Sequence, residues 1–98
     1  MNGRSRERRL IDRLLRERGI ARHALFLVQR EGIQLPNGVE AVSGFVLDDR
    51  GGVHGFWLAW DGERDDYTLS PLYPVEDPAR IFARDEEYQT ARGKLRLR

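Results

Sequence analysis

The segment "GFVLDDRGGVHGFWLAWDGERDDYTL", residues 44–69, holds two runs of alternating apolar residues separated by a turn that contains Gly51 and Gly52. Alternation with a period of two is typical of β-strands, and paired glycines between two such runs favour a hairpin. The pattern therefore predicts one strand over residues 41–48, a hairpin turn, and a second strand over residues 53–60.

The residues that follow predict a third strand and a C-terminal helix. The third strand covers residues 67–73, and Pro71 should place it at a sheet edge or end it early because proline lacks an amide hydrogen. Asp77 followed by Pro78 is typical of a helix start. The helix is predicted over residues 78–92, and the apolar face is expected to carry Ile81, Tyr88, Ala91 and Leu95.

Helical spacing precedes the hairpin. Residues 5–18 predict an amphipathic helix whose apolar face carries Leu10, Ile11, Leu14 and Leu15. Gly19 suits the left-handed position after that helix, and Ile20 suits the apolar contact that often follows. Residues 21–31 predict a second, short helix, but a strand over 23–29 is an open alternative because periodicity cannot assign so short an apolar run.

Together these patterns predict a single α+β domain over residues 1–98, in the order α-α-β-β-β-α. An antiparallel meander of three or more strands packs against the helices, and residues 1–4 and 94–98 are expected to be flexible basic ends. A chain of 98 residues buries roughly two-thirds of the surface that it exposes when unfolded, which is enough for one core.

The chain has no long apolar segment. Its longest apolar run, residues 24–28, is far shorter than the roughly 18 to 20 residues of a membrane span. The arginine-rich N-terminus is not followed by the apolar region of a signal peptide. We therefore expect a cytoplasmic protein with no membrane partner.

Charge is strongly segregated along the chain. Residues 1–30 carry nine arginines against three acids, a net charge of +6, whereas residues 37–87 carry twelve acids against four arginines, a net charge of −8. The last residues are basic again. The two parts are expected to attract each other, within one chain or between chains.

The predicted hairpin leaves one sheet face with surplus apolar residues. A two-residue turn at Arg50-Gly51 would set Phe45 opposite Phe56 and Leu47 opposite His54. Trp57 then lies on the reverse face, which needs a cover from the C-terminal helix or from a second chain, because exposed aromatic patches mark interaction sites. The leading hypothesis is a non-catalytic interaction module that self-associates or binds a protein partner through four residues: Trp57, Val53, Ala59 and Val46.

A second hypothesis rests on the N-terminal helix. Four arginines share the face opposite its apolar residues and could follow a phosphate backbone. An accessory protein that binds nucleic acid is thus the alternative, and its contact residues would be Arg6, Arg9, Arg13 and Arg16.

The sequence holds no clear catalytic or metal-binding motif. It contains no cysteine, which excludes disulfides and thiolate metal sites. His54 beside Asp48 and Asp49 is the best candidate for a general base, but no nucleophile or cofactor motif accompanies it. We expect no catalytic residue, no metal site and no cofactor.

Overall fold

The computed structural model describes residues 3–34, 40–61 and 63–97, and it describes side chains within 8–29, 41–59 and 63–97. One helix comes first, an antiparallel meander sheet follows, and two short helices end the chain, which confirms the α+β class. The elements are α1 (Gly3–Glu17), β1 (His23–Gln34), β2 (Glu40–Asp48), β3 (Val53–Asp61), β4 (Asp66–Leu69), β5 (Tyr73–Pro74), α2 (Pro78–Ile81) and α3 (Glu86–Lys94). The sheet order is β1-β2-β3-β4, and β5 also pairs with β3.

The predicted second helix is a strand. Residues 21–31 fall mostly within β1, which pairs antiparallel with β2 from His23 opposite Asp48 to Phe26 opposite Phe45. The apolar run is continuous because helices cover both faces of this strand. Phe26 packs towards the C-terminal helices, and Leu25 packs towards α1. A strand buried on both sides loses the alternation that would distinguish it from a buried helix.

The first helix ends as predicted. The amide of Ile20 donates to the carbonyl of Leu15 and the amide of Gly19 donates to that of Arg16, both at 3.0 Å. This is the Schellman pattern, and Gly19 takes the left-handed conformation that the pattern needs, with φ of 89°. The predicted apolar face of α1 packs against the sheet and contains Leu10, Ile11, Leu14, Leu15.

The C-terminal helix is broken in two. Asp85 is the N-cap of α3, and its side chain accepts a hydrogen bond from the Tyr88 amide at 2.9 Å. The interruption changes the helical phase, so Ile81 is 56% exposed and Phe82 is buried in its place. Three other members of the predicted face are buried as expected: Tyr88, Ala91 and Leu95. The flexibility expected of residues 94–98 stays a prediction; within that segment Leu95 is buried and the partly buried Leu97 packs against the same cluster.

The hairpin register differs by one residue from the predicted one. Asp48 donates its amide to the Gly52 carbonyl, and Gly51 occupies the left-handed position of a three-residue loop, with φ of 88°. Phe45 therefore lies opposite Gly55 rather than Phe56, and Leu47 lies opposite Val53 rather than His54. A shift of one residue moves side chains to the other face. The predicted core face is thus divided between the two sides of the sheet.

Two apolar clusters result, one on each face. The first cluster lies between the sheet and α1, where Val46, Phe56 and Leu58 contact Ile11 and Leu15. The second lies between the sheet and the C-terminal helices, and its buried members are Ala24, Phe26, Leu47, Val53, Phe82, Tyr88, Ala91 and Leu95. The C-terminal helices thus cover part of the face that carries Trp57.

Polar contacts tie the helices and the sheet together. His23 bridges β1 and α1, since its Nε2 lies 2.7 Å from Asp12 Oδ1 and its Nδ1 lies 3.1 Å from the Ile20 carbonyl oxygen. The Arg18 guanidinium donates to the carbonyls of Leu69 and Ser70. Among the helices described, none has the length and apolar character needed to cross a membrane.

Candidate protein-binding groove

A groove of about 490 Å³ opens on the sheet face that carries Trp57. β2 runs along its middle, between Trp57 on β3 and the residues that β1 contributes. Trp57 and Tyr73 are each 46% exposed, although both rings lie beside buried residues. We call this surface the Trp57 groove, and its lining is Leu27, Gln29, Ser43, Gly44, Phe45, Trp57 and Tyr73.

The backbone of Trp57 is hydrogen-bonded on both sides of β3. Its amide donates to Ser70 Oγ at 2.8 Å, and its carbonyl accepts from the Ser70 amide at the same distance. On the other side of β3, Trp57 pairs with Ser43 of β2. Because Ser43 is small, the indole has space above the sheet.

Tyr73 reaches the groove because residue 55 is glycine. β5 pairs with β3 so that Tyr73 lies opposite Gly55, and the tyrosine ring covers the place where a Cβ atom of residue 55 would be. Gly55 and Trp57 are two residues apart on one strand, so they share a sheet face. The missing side chain at 55 thus lets the ring of Tyr73 lie over β3, where it lines the same groove as Trp57.

A bulge in β1 shapes the opposite wall. The pairing with β2 is irregular between Phe26 and Gln29, and Leu27 takes a left-handed backbone conformation with φ of 51°. This conformation costs a residue other than glycine about 1–2 kcal/mol. Val28 lies against Gly44, where a Cβ atom would come within 2.9 Å of Val28 Cγ2. The bulge turns Leu27 to the groove side, where it packs beside the core.

Phe45 connects the groove to the core. Its ring stacks on Phe26 at a centroid distance of 5.5 Å and meets Phe82 edge-on at 5.0 Å. The inner end of the groove is therefore part of a packed aromatic cluster. A ligand here would meet a preformed surface rather than a mobile one.

The groove differs from the set of contact residues predicted from the sequence. Trp57 is exposed, and Ala59 lies on the same face but half-buried. Val53 is only 2% exposed beneath the C-terminal helices, and Val46 is fully buried on the opposite face against α1. Neither valine is accessible, because the observed register places Val53 in the apolar cluster under the C-terminal helices and Val46 in the cluster under α1.

Sequence reasoning missed Tyr73, Leu27, Gln29 and Ser43. A signal for Tyr73 existed, since a glycine inside a strand pattern often marks a close approach of another group. Gly55 is such a glycine, but the sequence does not say which residue approaches it.

The arginine face of α1 lies on the other side of the sheet. Arg9, Arg13 and Arg16 are exposed, and Arg13 lies 3.9 Å from the Glu17 carboxylate one turn later. The side chain of Arg6 lies outside the described residues.

Asp48 and His54 lie together, but Asp48 serves the hairpin. Its Oδ1 accepts from the amides of Arg50 and Gly52 at 2.9 and 2.8 Å, and its Oδ2 accepts from His54 Nε2 at 3.1 Å. Partial burial alone would raise the pKa of Asp48, but the hydrogen bonds from His54 and the two amides outweigh it and lower the pKa below 3.8. Asp49 is exposed and shares none of these contacts.

Within the part of the chain that the structure describes, no three His, Cys, Asp or Glu side chains cluster as a metal site. Comparison of the chain with protein-family models, curated protein sequences and solved structures finds no match.

Proposed function

We propose that this protein is a non-catalytic interaction module that binds a protein partner in the Trp57 groove. The observation that carries the proposal is the exposure of Trp57 and Tyr73, 46% each, in one groove on a face whose other large apolar residues are mostly covered. Tryptophan and tyrosine dominate binding energy at protein interfaces because they bury a large area and lose little rotamer entropy.

Rigidity supports the same proposal. Ser70 holds the backbone of Trp57, and the bulge at Leu27 is maintained at an energetic cost beside the groove. Strained backbone persists where the surrounding structure holds it, and it is concentrated at functional sites. A preformed groove reduces the entropy that binding would otherwise cost.

A catalytic function has less support. The acceptor atoms of Asp48 are used by the hairpin amides and by His54. The pair thus has a structural role that accounts for its geometry.

The test is a selection of displayed random peptides on the purified protein. We expect peptides that bind the wild type and that lose at least tenfold in affinity on Trp57→Ala or Tyr73→Ala, because central aromatic residues dominate such interfaces. Tyr67→Ala is the matched control, since Tyr67 is an exposed aromatic residue on the opposite sheet face. Its affinities should be unchanged.

Thermal unfolding of each variant checks that the fold persists, and substitutions at exposed positions should change stability by less than about 0.5 kcal/mol. If no peptide is enriched, or if the enriched peptides bind Trp57→Ala as tightly as the wild type, the groove is not the binding surface.

The nucleic-acid alternative is supported by the exposed Arg9, Arg13 and Arg16. Binding to generic duplex DNA that collapses between about 50 and 200 mM salt would favour it, because neutralised phosphates release counterions. A variant in which these three arginines become glutamine should then lose binding, whereas Trp57→Ala should retain it.

A further inference from the structure

The Trp57 groove is lined by three aromatic rings that belong to three different strands. Phe45 of β2 lies directly opposite Gly55 of β3, and the ring of Tyr73 lies over that same glycine. Trp57 is the next residue on the same face of β3. The three rings thus line one groove, beside Gly55 and the small side chain of Ser43 on the same sheet face.

Such an arrangement suits a cation. The face of an aromatic ring carries partial negative charge, so several rings around one space attract a positively charged group within about 6 Å of their centroids. Tryptophan is the best of the three ring types for this interaction, and arginine is its most frequent partner.

The charge of the segment that carries most of the groove acts in the same direction. Residues 37–87, which carry every groove residue except Leu27 and Gln29, have a net charge of −8. The exposed arginines of α1 lie on the opposite face of the sheet. An acidic segment around most of the groove favours a cationic ligand over an anionic one, and the basic residues on the same side of the sheet include Arg92 and Lys94 of α3.

We propose that the Trp57 groove recognises a cationic side chain, foremost the guanidinium of an arginine, in a basic segment of a protein partner. This inference rests on the proposed function and adds the chemistry of the partner. The guanidinium stacks on Trp57 and Tyr73, while its aliphatic stem contacts Phe45.

The test titrates the protein with two blocked peptides of equal length, one of glycine–arginine repeats and one of glycine–citrulline repeats. Citrulline has nearly the shape of arginine but no charge. Binding to the wild type and to each variant is measured by fluorescence anisotropy of the labelled peptide. In the wild type it is also followed by NMR from the indole N–H of Trp57, which is assigned by its absence in Trp57→Leu. At about 50 mM salt we expect the arginine peptide to bind at least tenfold more tightly than the citrulline peptide.

Two variants separate cation recognition from other attractions. Trp57→Leu keeps an apolar side chain but has no ring, and it should weaken arginine binding about tenfold. Tyr67→Leu, on the opposite face, should leave the affinity unchanged. Equal binding to wild type and Trp57→Leu would show only attraction to an acidic surface, and it would overturn the inference.

The outcomes also distinguish this inference from the proposed function. If peptides selected on the groove depend on Trp57 but contain no cationic residue, and the citrulline peptide binds as well as the arginine peptide, the groove binds partners but not through a cation. If no peptide of any kind depends on Trp57, both proposals fail.

Discussion

Gly55 leaves room for the Tyr73 ring in the groove, and its substitution should lower both stability and peptide affinity. In Gly55→Ala the new Cβ atom would overlap the Tyr73 ring, but that ring is at the surface and can turn away. We expect unfolding free energy to fall by about 1 kcal/mol and peptide affinity for the groove to fall with it. In a Tyr73→Ala background the same change should be neutral or stabilising, because alanine loses less backbone entropy than glycine on folding.

Gly44→Ala is the comparison for this prediction. There the Cβ atom would lie 2.9 Å from Val28 Cγ2 and 3.0 Å from Val28 Cα, and a backbone atom cannot turn away. Chemical denaturation should therefore show a larger loss, about 1–3 kcal/mol. A greater cost at residue 55 than at residue 44 would mean that Tyr73 is held more firmly than its exposure implies.

Asp48 should make stability depend on pH in acid. Its pKa is below 3.8 in the folded protein, because hydrogen bonds from His54 and two amides outweigh the effect of burial. A lowered carboxylate pKa stabilises the fold fully at pH values well above 3.8, and this contribution is lost as the pH falls through the folded-state pKa.

Asp48→Asn should consequently cost about 1 kcal/mol at pH 7, and the difference from wild type should shrink once the pH falls below 3.8. Urea denaturation at a series of pH values measures both quantities. Asp49→Asn, at the exposed neighbour in the same turn, is the control. A difference that stays constant down to strongly acidic pH would assign the effect of Asp48→Asn to side-chain geometry rather than to charge.

At the scale of elements, two glycines at the ends of helices should respond to alanine in opposite ways. Gly19 follows α1 with φ of 89°, whereas Gly93 lies within α3, and a Cβ atom would meet nothing within 4 Å at either position. Both positions therefore have room for a Cβ atom, and they differ only in backbone conformation. Gly19→Ala should cost about 1 kcal/mol, and Gly93→Ala should stabilise the protein by about 0.5–1 kcal/mol.

Thermal unfolding of the two variants checks the signs. If both variants were less stable than the wild type, the helical backbone at residue 93 would be contradicted. If both were more stable, the left-handed backbone at residue 19 would be contradicted.

The elements that were predictable from the sequence are those determined by local chemistry. The end of α1 before Gly19 and the strands on either side of the glycine turn follow from residues that are close in sequence. The helix start at Pro78 was also predicted, but the side chain of Asp77 makes no capping hydrogen bond there. The break before Asp85 was not predicted, although aspartate is a common N-cap, because the surrounding residues also suit a continuous helix.

At the scale of the whole molecule, prediction depended on the hairpin register. The loop has three residues where two were predicted, and this difference divides Phe45 and Phe56 between opposite faces. β1 was ambiguous for a related reason, since helices cover both its faces and remove the alternation. The groove depends on the hairpin register, on the pairing of β1 with β2 and on the pairing of β5 with β3. The last two are pairings between distant segments, which no local sequence pattern encodes.

Because the sheet is shared, the two apolar clusters should unfold together. Val46 and Leu47 are neighbours on β2, yet the first belongs to the cluster under α1 and the second to the cluster under the C-terminal helices. β2 cannot leave one cluster without leaving the other. Ile11→Ala in α1 and Leu95→Ala after α3 should each cost about 2–4 kcal/mol, because both side chains are buried.

Each variant should unfold in one transition, with coincident curves from far-ultraviolet and near-ultraviolet circular dichroism. The control is native-state hydrogen exchange. Either variant should lower the protection of the Val46 and Leu47 amides against exchange by the same amount. If Ile11→Ala destabilised only part of the structure, so that unfolding showed two transitions and the Leu47 amide kept its protection, the two faces of the sheet would be separate folding units. The Trp57 groove, whose lining comes from the four strands β1, β2, β3 and β5, would then depend on only one of the two folding units.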